Sequence, residues 1–235
     1  MQLADLTLFQ AVIEVRYAPA YLLWDHSGCL WSRLSLQFEG LRTIAAEPNQ
    51  TLFRMGNDFE FAARLENASL SAFKPNRTLT QFTECAGQFF SLLSETLDLA
   101  EFSRVGCRQI FTREYPSHED ASRALLESGV LKWPVGKHFN HSGEPIRPEW
   151  AFRWEEGGSG VHLRLRVDER KYDFDPPLVW EGPDPVKKDR IALMYDVDWY
   201  TTAPVLVTQM SFADWIKQCV HVVNRDSDAF LGGLK

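Results

Sequence analysis

The chain has 235 residues, 45% hydrophobic and 13% aromatic, which is enough apolar surface for one large domain or two small ones and argues against disorder. Its 25 Lys and Arg against 32 Asp and Glu give a formal charge of −7, which disfavours bare nucleic acid and anionic membranes unless basic residues gather on one surface. No apolar run approaches the roughly 20 residues of a membrane helix, and the N-terminus lacks the basic and apolar regions of a secretory signal, so a cytoplasmic protein is expected.

Residues 12–17 alternate, with Ile13, Val15 and Tyr17 opposite Glu14 and Arg16, as a half-buried strand does; Pro19 ends it. Over residues 29–41 the positions Leu30, Leu34, Phe38 and Leu41 follow a helical period, with Gly40 as the stop. Residues 52–55 and 59–65 flank Gly56-Asn57-Asp58 and read as a hairpin. The clearest helix carries Leu79, Phe82, Ala86, Phe89, Leu93 and Leu97, and Thr78 with Gln81 makes a capping box at its start.

Residues 102–111 form a strand almost midway along the chain, with Val105 and Cys107 opposite Arg104, Gly106 and Arg108. A helix opens at Ser117 and reaches Gly129. Residues 132–148, with three prolines and two glycines, are expected to be a long loop, and a second irregular segment spans 175–188; these carry Trp133, His138, Phe139, His141 and Trp180. Between them Gly157-Gly158-Ser159-Gly160 turns a hairpin of residues 150–154 and 161–167. An extra strand then places Ile191, Leu193, Tyr195, Val197 and Trp199 opposite Asp196 and Asp198. The last helix, opened by Ser211 and Asp214, bears Phe212, Trp215, Ile216, Cys219, Val222 and Val223. The four cysteines, Cys29, Cys85, Cys107 and Cys219, are widely spaced in apolar or periodic contexts and read as buried thiols rather than as a disulfide framework or zinc site.

The order strand, helix, hairpin, helix before residue 102 recurs after it, with one extra strand. The expected fold is therefore α+β: two pseudo-repeated ferredoxin-like (β-α-β-β-α) halves, residues 1–101 and 102–235, with antiparallel sheet and helices on one face. The alternative is a coincidental succession of common elements.

Three segments carry a family resemblance: Gln10-Ala11-Val12-Ile13-Glu14-Val15-Arg16-Tyr17, Phe102-Ser103-Arg104-Val105-Gly106-Cys107-Arg108 and Ala192-Leu193-Met194-Tyr195-Asp196-Val197-Asp198. The chain resembles a sporadically distributed, functionally uncharacterised bacterial family of about this length, with an E-A-V-x-E-I-R-F-like opening strand and a central R-I-G-L-R. It departs from that pattern at Gln10, usually acidic, and at Cys107, usually leucine. The resemblance implies no catalytic residue; the patchy distribution of the family implies an accessory, antitoxin-like or defence-associated setting.

The polar faces of the expected strands hold seven arginines, Arg16, Arg64, Arg104, Arg108, Arg153, Arg164 and Arg166, and six acids, Glu14, Glu60, Glu66, Asp168, Asp196 and Asp198, together with His162. The ordinary reading is a ladder of cross-strand ion pairs; the functional one is a polar groove that grips a partner. Asp196 and Asp198, roughly 7 Å apart by strand rise, have the spacing of an acid–base pair or hard-cation site, though carboxylates beside arginines are common. His138, His141 and His162 could supply a three-histidine zinc site, or be ordinary loop and strand residues.

The expected function is therefore non-enzymatic binding of another protein, with no cofactor implied. The contacts would be made by Arg104, Arg108, Arg164, Arg166, Asp196 and Asp198 and by the loop residues Trp133 and Trp180. The alternatives are an enzyme or small-molecule binder with a polar pocket between the halves, and a nucleic-acid-binding subunit whose affinity falls steeply with salt. Oligomeric state is left open.

Overall fold

The computed structural model describes residues 2–73, 78–128, 147–172 and 188–232. The first alternating segment is strand β1 (Thr7–Arg16), followed by helix α1 (Leu22–Gln37) and four strands in sequence, β2 (Leu41–Glu47), β3 (Gln50–Met55), β4 (Phe59–Arg64) and β5 (Asn67–Phe73). Helix α2 (Leu79–Leu97) and a short β6 (Glu101–Phe102) lead to the midway strand β7 (Arg104–Tyr115). Then come α3 (His118–Glu127), β8 (Glu149–Glu156), β9 (Ser159–Tyr172), β10 (Lys188–Thr201), a short β11 (Val205–Leu206) and α4 (Phe212–Gly232). The fold is mixed α+β.

Among the described residues, nine strands make one antiparallel sheet in the order β2-β3-β4-β5-β1-β7-β10-β9-β8, and β6 pairs with β11 apart from it. Each strand run returns beside the strand that preceded it: β5 closes on β1 and β10 closes on β7. The two groups join where β1 and β7 pair, with Glu14 opposite Gly106 and Arg16 opposite Arg104.

Period-2 alternation decides which side of this sheet is buried. Ile13, Val15, Phe61, Leu70, Val105, Cys107, Leu165, Tyr195 and Val197 point to one face and are at most 5% exposed. Helices α1, α2 and α4 pack on it: Trp31 meets Phe53, Phe89 meets Phe61, and the Cys219 thiol lies 3.4 Å from the Cys107 carbonyl. Helix α3 reaches the same face through His118, 3.3 Å from Glu169. Stacked and tilted rings link the helices to one another and to the sheet, Phe90 lying 4.6 Å from Phe212. Rings of this kind bury large apolar area and dominate core energetics.

The expected capping box is present in full: the Thr78 hydroxyl accepts from the Gln81 amide at 3.2 Å, and the Thr78 amide donates to the Gln81 side chain at 3.1 Å. Ser117 and Ser211 accept from the amides of Asp120 and Asp214. The N-termini of α2, α3 and α4 thus lie where the sequence placed them.

Elsewhere the structure corrects the reading. Helix α1 begins at Leu22, seven residues before Cys29, with Leu23 on its buried stripe and Gly28 open on all sides; a mid-helix glycine costs about 1 kcal/mol, which the packing of Leu23, Leu30 and Leu34 offsets. Leu41, expected to end that helix, starts β2 after Gly40 turns the chain at a φ of +74°. Strand β5 went unseen because Asn67-Ala68-Ser69-Leu70-Ser71-Ala72 lacks β-branched residues, although it lies inside the sheet between β4 and β1. The four cysteines are thiols and not disulfides, but only Cys107 and Cys219 are buried: Cys29 is exposed, because helix α1 turns it outward, and Cys85 is intermediate. The neighbouring Cys219 and full burial push the Cys107 thiol well above its usual range.

Candidate functional site

The face of the sheet opposite α1, α2 and α4 carries an open groove of ≈770 Å³ over β1, β7, β10, β9 and β8. Its lining includes Glu14, Arg16, Arg104, Gly106, Arg108, Arg153, Glu155, His162, Arg164, Asp198 and Tyr200. Eight of these, Glu14, Arg16, Arg104, Arg108, Arg153, His162, Arg164 and Asp198, are expected on the polar face from alternation alone, and the β1–β7 pair brings Arg104 to the join between the two strand groups.

Cross-strand register sets the pairing. Asp196, 2% exposed, lies behind the lining; Arg108 forks onto it with Nε and Nη2 at 2.7 and 2.6 Å, and Arg164 approaches at 3.8 Å from the other side. Asp198 takes Arg104 at 2.5 Å, and Arg104 also lies 3.6 Å from Glu14. Asp196 sits deep with guanidinium groups above it, since Arg108 and Arg164 are 36% and 33% exposed against its 2%, whereas Asp198 and Arg104 are covered alike, at 21% and 19%. The bond to Asp196 holds the Arg108 guanidinium above its ordinary range despite partial burial. Both aspartates are thus engaged by arginines, and the pair does not stand free as an acid–base couple.

Tyr200 and Glu155 are site residues that the sequence reading does not find; for Tyr200 a signal is present. Tyr200 continues the alternation of Asp196 and Asp198 by one more step. Its ring lies 4.4 Å from the Arg104 guanidinium, its hydroxyl donates to Glu155 at 2.8 Å, and Arg153 Nε donates to that hydroxyl at 2.9 Å. Desolvation, followed by the hydrogen bond to Glu155, raises the Tyr200 hydroxyl above its ordinary range; the same bond and Arg153 lower Glu155.

Two glycines make this arrangement possible. A Cβ on Gly106 would stand 3.0 Å from Arg104 Nη1 and 3.1 Å from Asp198, and one on Gly160 would stand 2.6 Å from the Tyr200 ring. Gly160→Ala is expected to swing Tyr200 off its bonds to Arg153 and Glu155 and cost about 1–3 kcal/mol, the range for overpacking, checked by urea denaturation. Retention of full stability would mean that Tyr200 is not held against Gly160.

Arg166 stands outside the groove lining, two residues along β9 from Arg164 on the same face, 3.9 Å from Asp168. His162 lines the groove opposite Asp198. Trp133, Trp180, His138 and His141 lie outside the described residues, and among the described residues no three His, Cys, Asp or Glu side chains form a group that could hold a metal ion. No helix among the described residues is long and apolar enough to cross a membrane.

Compared with known proteins, the chain matches no family model and no curated protein.

Proposed function

We propose that this protein is a non-enzymatic binder that grips a protein partner in the groove over β1, β7, β10, β9 and β8. The observation that carries the reading is a concave, open and charged surface in which the buried Asp196 is held by Arg108, with the partly exposed guanidinium groups of Arg108 and Arg164 standing over it. Arginine is a favoured anchor at protein interfaces, and prepaired charges lose little freedom on binding. An accessory, antitoxin-like or defence-associated setting rests on the family resemblance alone.

Arg16 and Arg153, with side chains 56% and 67% exposed, allow a test that spares the fold, because exposed ion pairs contribute only about 0–1 kcal/mol. A protein partner that co-purifies with the wild type should be captured about tenfold less by the R16E/R153E variant and equally by R225E, whose site is on α4 across the sheet. Equal capture by all three would remove the groove as the binding surface.

We also propose that residues 1–101 and 102–235 are pseudo-repeated ferredoxin-like halves that meet at the β1–β7 pair. The support is the shared succession of strand, helix, returning strands and helix; the runs of four and three strands are longer than the two-strand hairpin of a ferredoxin-like unit. Failure of residues 12–97 to superpose on 104–230 would remove the repeat.

A further inference from the structure

Arg164 and Arg166 stand two residues apart on β9 and face the same side of the sheet, so their Cα atoms are roughly 7 Å apart by strand rise. Neither guanidinium makes a hydrogen bond among the described residues. Each has only a long ion-pair contact, Arg164 to Asp196 at 3.8 Å and Arg166 to Asp168 at 3.9 Å. The Nε of Arg166 is buried with no partner among the described residues, although an arginine is always charged and carries five donors. A buried donor left unmade costs about 1–3 kcal/mol, more when charged.

The surroundings leave the pair open toward solvent. Across β9 on the outer side, Arg164 faces Ala151, too short to cover it, and Arg166 faces the exposed Glu149, with which it forms no ion pair. On the inner side, Arg166 faces the apolar Met194, and Arg164 faces Asp196, whose two oxygens are already forked by Arg108. The carboxylate that would neutralise Arg164 is therefore committed elsewhere, and both side chains remain about a third exposed, at 33% each.

We propose that Arg164 and Arg166 form a subsite for an oxyanion, a carboxylate or phosphate group, carried by the protein partner where it extends from the groove along β9 to Arg166. Two planar forks on one strand face can share the oxygens of one such group through their exposed ends, in charge-assisted bonds that neither guanidinium makes within the fold. The adjoining acids keep the local positive excess small, which favours a single anionic group over a polyanionic backbone. The proposal rests on the groove reading for its physiological source, but the binding chemistry can be measured without a partner.

The test titrates the full chain at low salt with inorganic phosphate and, separately, with a tetraglutamate peptide, by calorimetry. Saturable binding of either probe is expected, weakened about tenfold or more in R164Q/R166Q and unchanged in R225Q, across the sheet on α4. Arg164→Lys, which keeps the charge and loses the fork, should weaken binding severalfold, showing that geometry matters beyond charge. Preference for phosphate or for the peptide identifies the source of the oxyanion. No saturable binding of either probe to the wild type, or equal binding by R164Q/R166Q, would overturn the subsite. Partner capture separates the two readings: wild-type probe binding with capture indifferent to R16E/R153E keeps the subsite and removes the groove interface, while capture lost in R16E/R153E without probe binding does the reverse.

Discussion

Replacing Arg108 with leucine is expected to destabilise the protein by about 3 kcal/mol, because it strands a carboxylate that is 2% exposed. Breaking a buried ion pair from one side costs about 3–5 kcal/mol; the lower end applies here because the Arg108 side chain is itself 36% exposed and partly screened. Removing both charges should restore most of that loss, so R108L/D196L should fall within about 1 kcal/mol of the wild type, since matched apolar replacement of a buried pair is often neutral. Urea denaturation of the two single variants and the double variant closes the cycle. A loss below about 1 kcal/mol in R108L would show that Arg164, 3.8 Å from the same carboxylate, moves in to take over.

The largest loss is expected inside the core. Phe61 is 0% exposed, and its ring lies 4.9 Å from Phe38 and 5.3 Å from Phe89, so it joins β4 to the end of α1 and the middle of α2. Phe61→Ala removes those contacts and leaves a cavity between two helices and a strand, at a cost of about 3–5 kcal/mol. For a chain of this size the melting temperature should fall on the order of 10 °C. Trp24, 55% exposed at the start of α1, is the matched control: Trp24→Ala should change stability by no more than about 0.5 kcal/mol. Comparable losses at both positions would contradict the assignment of the aromatic core.

The parts of the fold legible in the sequence are those where one physical preference dominates. The apolar spacing from Leu79 to Leu97 and the reciprocal Thr78–Gln81 cap specify α2 almost to the residue. Gly56 and Gly157 mark the two turns because each adopts a positive φ that favours glycine. Strand β5 was hidden because its alanines and serines differ little in polarity, and only its neighbours on both sides make it a strand. The charged face was legible as a face but not as pairs. Alternation puts Arg104, Arg108, Asp196 and Asp198 on one side, yet Arg108 reaches past Asp198, its register partner, to fork Asp196. Register and side-chain reach, neither of them local in sequence, decide which carboxylate each arginine holds.

The pairing of β1 with β7 also governs the order in which the protein can be assembled. A chain folding from its N-terminus can complete the sheet from β2 to β1 with residues 7–73 alone, and β1 then presents a bare edge until β7 is made. Once β7 has docked it is itself unpaired until β10 arrives, with Cys107 waiting for Trp199 far along the chain. Contacts so distant in sequence make closure slow, and each bare edge is a template for another copy of the half-made sheet. Glu14 and Arg16 on the first edge, and Arg104 and Arg108 on the second, put charge where such a copy would have to stack. The side chains that line the groove of the finished protein are thus expected to oppose edge-to-edge association of the growing sheet as well, which the refolding yield of R104Q/R108Q would check.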